Sequence, residues 1–277
     1  MKNINPNLKV PAIAILAAVL AMCLWGGISL IGRKICITLF GNNIIMLSGM
    51  ESCILIGQYF VIKKYNKGNF SFDFIDLNFK ENSIKQLFIG ISIGTLMYII
   101  WVFILSAINI IEFKGIGFLF YPANKVIAAI MSAFVLSFFA SLTEEVLVRG
   151  IILKHLMKLK GKVFALIISS LIFAMFHTRY YQRPYALICV FTTAILLGYL
   201  YIVTESLYLS IGLHFAMDFY PIMTGDSNNL LIFHVKNNKV DLGMYFGYVQ
   251  IFVDLILILA LVLYRYKTKN RGVNIEV

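Results

Sequence analysis

The sequence predicts an all-α, polytopic membrane bundle of about eight transmembrane helices, on three observations. The 277 residues are 60% hydrophobic, with a mean hydropathy of +0.86 and only 13% charged residues. Apolar runs of about 20 residues, the length that crosses a hydrocarbon core of ~30 Å, recur along the chain. No repeat, low-complexity tract or soluble stretch interrupts them, so residues 1–277 read as a single integral membrane domain.

The apolar runs fall at roughly 10–31, 43–62, 86–108, 126–153, 163–177, 185–203, 207–220 and 244–264. The first is too long for the apolar part of a cleaved leader, and Met22 in Ala21-Met22-Cys23 is bulky where cleavage wants a small residue. It reads as a retained span. The connection from Lys63 to Lys85 alternates around Phe70, Phe72, Phe74 and Ile75, which suggests a segment lying on the membrane surface. Gly90 and Gly94 read equally as a close helix contact or as ordinary membrane-helix glycines. The run from 207 is short for a full span and reads as a half-buried or tilted helix shielded by the others. Pro221 to Gly243, with Gly225, Asp226, Asn228 and Asn229, reads as an exposed loop.

A net charge of +11 could suggest nucleic acid. In a membrane chain it reads instead as loop lysines on the cytoplasmic side. With the amino end inside, the inner connections hold 16 of the 24 Lys and Arg and the outer ones hold 8, which predicts both termini in the cytoplasm. Cys23, Cys36, Cys53 and Cys189 show no metal or redox spacing and read as small buried hydrophobes. The end at Asn274 to Val277 has no prenylation cysteine.

Three sets of polar residues sit where lipid tolerates none unpaired. Glu144 and Glu145 interrupt the fourth run, and a charge at the bilayer centre costs about 2.5–3.5 kcal/mol. Glu145 and Arg149, four apart, share a helical face and can pair, which reads as structural. Glu144, turned about 100° away, has no local partner. It is the carboxylate left for chemistry. Phe173 to His177 closes the fifth run, and His214 and Asp218 sit four apart in the seventh. Singly, His177 reads equally as an interfacial histidine, and His214 with Asp218 as a local pair. Together, desolvated glutamate and two imidazoles suit water activation. Imidazole nitrogen and carboxylate oxygen can also hold a divalent metal such as zinc. For the groups to meet, the fourth helix must run from Val126 to about Leu156, with Glu144 near its middle and Lys154 and Lys158 snorkelling.

These residues, in this order, resemble the CPBP family: type II CAAX prenyl endopeptidases with bacteriocin-processing and immunity membrane proteins. The pattern is E-E-x-x-x-R at Glu144 to Arg149, F-x-x-x-H at Phe173 to His177, and H-x-x-x-N or H-x-x-x-D at His214 to Asp218. It covers 126–220, which would be a catalytic core built from helices 4–7. The resemblance implies an intramembrane endopeptidase with a cavity open to the cytoplasm. Glu144 would be the base, supported by Glu145 and Arg149. His177 and His214 would hold a metal or stabilise the oxyanion. If a metal such as zinc is bound, Glu144, His177, His214 and Asp218 are its ligands; a metal-free mechanism is equally implied. Asp218 stands where many members carry Asn.

The expected substrate is a peptide or membrane-anchored protein, the setting a bacterial cytoplasmic membrane, with no nucleic-acid partner. Two rivals differ in kind. A bacteriocin-immunity protein would act by binding on the same fold, although loss of Glu144 would suit it better. A proton-coupled transporter would use the same buried groups, but no internal repeat supports it.

Overall fold

The structure is a computed structural model that describes residues 5–40, 44–225, 229–236 and 241–270. Its helices follow the apolar runs: α1 Pro6–Phe40, α2 Ile44–Tyr65, α3 Ser83–Ala107, α4 Ala123–Glu145, α5 Lys154–Lys160, α6 Lys162–Phe176, α7 Pro184–Thr204, α8 Leu207–Ile222 and α9 Leu242–Asn270. A π-helical turn, Val146–Leu153, joins α4 to α5, so 38 residues from Ala123 to Lys160 form one helix. The long fourth helix that the chemistry required is therefore present. Five helices are long and apolar enough to cross a membrane, so the chain is a helical membrane protein. The count of eight spans goes beyond those five. α6 has only 15 residues and α8 only 16.

Helix pairing fixes two ends of the bundle. Gly49 and Gly57 of α2 lie against Trp25 and Ala17 of α1, so that pair is antiparallel. Gly90 and Gly94 of α3 lie against Leu209, Leu213 and Ala216 of α8, a parallel pair. Tyr185 and Thr193 of α7 meet Gly243 and Gln250 of α9, also parallel. One end then carries the start of α1, the ends of α2 and α5, and the end of α9. We term it the lysine face, after Lys63, Lys64, Lys154, Lys158 and Lys160.

The all-α expectation needs one correction, at the opposite end. A three-stranded sheet, ordered β1-β3-β2, caps it, with β1 Ile111–Ile116, β2 Thr224–Gly225 and β3 Leu231–Val235. β1 pairs antiparallel with β3 from Ile111 opposite Val235 to Ile116 opposite Leu231, with an irregularity between Phe113 and Gly115. The stretch read as an exposed loop therefore contributes two strands, because Ile232 and Phe233 bury themselves on the bundle. Asp226 and Asn228 lie outside the described residues.

The lysine face is closed by the Lys63–Lys85 connection. A 3-10 turn, Phe72–Ile75, drops Ile75 into the core against Gly150, where a Cβ would sit 3.0 Å away. Asp76 just beyond it accepts hydrogen bonds from Lys154 Nζ at 2.7 Å and Tyr201 Oη at 2.5 Å. Lys154 is thus paired across the connection rather than extended to the interface; Lys158 is exposed. Of the cysteines, Cys189 is buried as expected, Cys53 is half-buried and Cys23 is exposed on α1. The side chain of Cys36 lies outside the described residues.

α8 is the shielded helix. Nine of its residues are buried, and it packs against α3 closely enough that a Cβ on Gly212 would stand 2.1 Å from the Leu87 carbonyl oxygen. Small residues allow this backbone approach, the usual source of helix association in lipid. The Gly90–Gly94 pair is therefore a helix contact. This packing carries His214 and Asp218 into the bundle.

Candidate active site

The site is assembled where α4, α6 and α8 meet. The 100° step between Glu144 and Glu145 sends the two carboxylates to different surroundings. Glu145 is fully buried. Its Oε1 accepts from Arg149 Nη1 at 2.6 Å and from His214 Nδ1 at 2.8 Å. Arg149, 1% exposed, also donates from Nη2 to the Ala194 carbonyl at 3.1 Å and lies over the Phe173 ring, 4.9 Å from its centroid. A buried charge pair depends on further contacts to its remaining polar atoms; Ala194 and Phe173 supply them to Arg149, while Glu145 Oε2 is buried without a hydrogen-bond partner.

Glu144 instead lines a cavity of about 820 Å³ and keeps 28% of its side chain exposed. Its Oε2 stands 3.6 Å from His214 Nε2, and Asp218 Oδ2 stands 3.6 Å from the same nitrogen. Because Nδ1 of His214 faces the Glu145 carboxylate, that nitrogen carries the hydrogen and Nε2 is the atom turned to the cavity. His177 ends α6. Its Nδ1 donates to the Phe173 carbonyl at 2.9 Å, which again leaves Nε2 free. His177 lines the same cavity, its ring stacked parallel on Tyr180.

Phe173 organises the three motifs. Its ring centroid is 4.7 Å from that of His177 and 6.0 Å from that of His214, while Arg149 covers it. The F-x-x-x-H spacing thus supplies an aromatic spacer as well as an imidazole. All six expected site residues, Glu144, Glu145, Arg149, His177, His214 and Asp218, gather in one neighbourhood. Four of them, Glu144, His177, His214 and Asp218, line the cavity.

Those four are also the expected metal ligands. Among the described residues, no three His, Cys, Asp or Glu side chains converge closely enough to hold a metal ion. Glu144 and Asp218 approach His214, but His177 stands across the Phe173 ring and forms no ion pair with either carboxylate. The donor chemistry suits zinc; the spacing of the side chains does not form its cage.

One residue escaped the sequence reading. Glu51 of α2 is 9% exposed, lines the same cavity, and lies within electrostatic reach of Glu144, Asp218 and His214. Its Oε2 is buried without a hydrogen-bond partner. A lone carboxylate in the apolar run 43–62 was the available signal.

A family model described as type II CAAX prenyl endopeptidase Rce1-like matches residues 126–220. No curated protein and no solved structure matches the chain. The matched segment begins inside α4 and ends inside α8, and it contains all three motifs. Over residues 126–220, about a third of its length, the chain is similar to the type II CAAX prenyl endopeptidases, the enzymes around which the CPBP family is grouped.

Proposed function

We propose that the protein is an intramembrane endopeptidase that hydrolyses a peptide bond with water activated by Glu144. The observation that carries this reading is the division of labour between adjacent carboxylates. Glu145 is consumed by Arg149 and His214, whereas Glu144 faces the cavity beside the free nitrogen of that histidine.

The chemistry follows from those positions. Glu144 takes a proton from water as the water oxygen attacks the carbonyl carbon. The C=O electron pair moves onto oxygen. A protonated imidazole, His214 or His177, donates from Nε2 to that oxyanion, since Nδ1 of each ring is already committed. When the oxyanion collapses, the C–N bond breaks and Glu144 returns its proton to the leaving nitrogen. Arg149 and Glu145 are positioning residues that fix the His214 ring. A carboxylate can only accept where an Asn would also donate, so Asp218, 3.6 Å from His214 Nε2, stabilises charge on that imidazole rather than binding the oxyanion.

The test uses purified full-length protein in detergent or liposomes with a library of peptides. Glu144→Gln keeps the shape of the carboxylate and removes its basicity. The expected result is a loss of about 10²–10⁴-fold in cleavage with an unchanged gel-filtration profile. Unchanged cleavage would remove Glu144 as the base. A divalent metal held by Glu144, His177, His214 and Asp218 is the second reading, favoured by the two 3.6 Å approaches to His214 Nε2. Metal content of the same samples decides it: a stoichiometric ion in the wild type, lost in His214→Ala, replaces the metal-free reading.

A further inference from the structure

Helix α9 carries one charged residue between Leu242 and Tyr264, the buried Asp254. An ionisable group inside a membrane span is costly and calls for a partner and a use. Its partners lie on α7. Asp254 Oδ2 accepts from Thr193 Oγ1 at 2.7 Å and stands 3.3 Å from Thr192 Oγ1. Thr193 Oγ1 in turn accepts from Gln250 Nε2 at 2.9 Å. Asp254 and Thr192 stand off the cavity, whereas Thr193 and Gln250 line it. Water activation by Glu144 uses none of the four.

The supply of hydrogens fixes the direction of this chain of bonds. A threonine hydroxyl has one hydrogen to donate. With that hydrogen on Asp254 Oδ2, Thr193 Oγ1 can meet Gln250 only as an acceptor, so the amide must turn its NH2 group to Thr193. A carboxyl proton on Asp254 would sit on Oδ1, which has no partner, and would leave Oδ2 an acceptor. Gln250 Oε1 is thereby left over. Among the described residues no group donates to it, and Gln250 is half-buried at the cavity wall. It is the one amide side chain among the described residues of that lining. α7 also ties it to the level of the Arg149–Glu145 pair. Ala194, the residue after Thr193, gives its carbonyl to Arg149, and one residue is ~1.5 Å along a helix.

We infer that Gln250 Oε1 accepts a hydrogen bond from a backbone N–H of the peptide in the cavity, and that Thr193 and Asp254 are the positioning residues that aim it. The contact rests on the endopeptidase reading and lies outside residues 126–220. A peptide entering a largely apolar cavity carries N–H groups whose loss of water must be offset. A neutral acceptor suits them. It takes a hydrogen bond from the backbone of any residue and, unlike Glu144, takes no proton. It therefore holds the register of the chain without reading its side chains.

The test measures binding without turnover. Full-length Glu144→Gln protein in detergent is given the library peptide that it binds most tightly and a series of analogues, each with one backbone N–H replaced by an ester oxygen. The expected result is one position at which the ester weakens binding about fivefold or more. Adding Gln250→Met keeps the length of the side chain and removes the amide, and that penalty falls below about twofold. Thr193→Val in the same background frees the amide to turn and roughly halves the penalty. A packing defect alone would weaken amide and ester peptides alike and leave the penalty intact. The same ester profile with and without Gln250→Met, no sensitive position, or no bound peptide overturns the contact. A full penalty in Thr193→Val strikes out the aiming by Thr193 and Asp254. A Gln250-dependent penalty, with no cleavage of that peptide by protein that keeps Glu144, refutes the endopeptidase reading and leaves the contact standing.

Discussion

At the scale of single residues, burial separates roles that sequence identity cannot. Glu144 and Glu145 are the same residue type at adjacent positions, yet one is solvated by a cavity and the other by Arg149 and His214. The helical turn alone predicted that separation, because Glu145 has a partner four residues on and Glu144 has none. It did not predict His214 Nδ1 as the second partner of Glu145, which lies 69 positions away. Glu51 is the clearer omission. It brings a third carboxyl group, after Glu144 and Asp218, to the cavity that His214 lines, where a polar group without a hydrogen-bond partner is costly. Glu51→Gln preserves shape and removes the ionisable proton, and is expected to change cleavage by about tenfold or more through the polar surroundings of the reacting groups. Val61→Ala is the control: it is also buried on the same helix but lies off the cavity, and is expected to change cleavage less than about twofold. Equal effects in peptide-cleavage assays would make Glu51 a packing residue only.

At the scale of helices, close backbone contact between α3 and α8 positions the site. Ideal Cβ atoms on Gly90 and Gly212 would stand 2.2 Å from the Leu209 carbonyl oxygen and 2.1 Å from the Leu87 carbonyl oxygen. Backbone atoms cannot move aside as flexible side-chain ends can, so a methyl group at either position must part the helices. Gly212→Ala is expected to destabilise by about 1–3 kcal/mol, read as a lower thermal unfolding midpoint, and to reduce cleavage because α8 carries His214 two residues later. An unchanged midpoint would mean that α3 and α8 are not held this closely. The apolar helices were legible because each turns an apolar run toward the core or toward lipid, and the small-xxx-small pair at Gly90 was visible with two readings open. The π turn at Val146–Leu153 was not legible. Its eight residues are an ordinary apolar stretch around Arg149, and the widened turn meets tertiary partners, Ile75 against Gly150 and the Ala194 carbonyl at Arg149, that no local pattern records. The sheet was missed for a related reason. Its strands are short, and β1 and β3 are more than 110 positions apart, so neither forms without the helices that bring them together.

At the scale of the whole molecule, the chemistry and the cavity come from different parts of the chain. The family segment 126–220 supplies every motif residue. The cavity walls also include Ala18 and Met22 from α1, Met50, Glu51 and Ile54 from α2, and Phe246, Gly247 and Gln250 from α9, all outside that segment. Residues that activate water must keep their types and spacing, whereas a wall needs only shape and polarity, so it leaves no short pattern to read. On this division, selectivity among peptides resides in the walls. A pocket that gains or loses the equivalent of a methylene changes discrimination by about 10–200-fold, and Phe246→Ala removes a whole ring. That substitution is expected to raise kcat/KM for peptides with a bulky residue beside the cleaved bond, relative to peptides with a small one, by about tenfold or more. Because Phe246 also meets the buried Trp101 edge to face at 5.1 Å, Met22→Trp serves as a second, opposite change that narrows the cavity from α1 without touching that pair. Opposite shifts in peptide preference, with Glu144-dependent cleavage retained in both, would assign selectivity to the walls. The same preference in wild type and both variants would return it to the family segment.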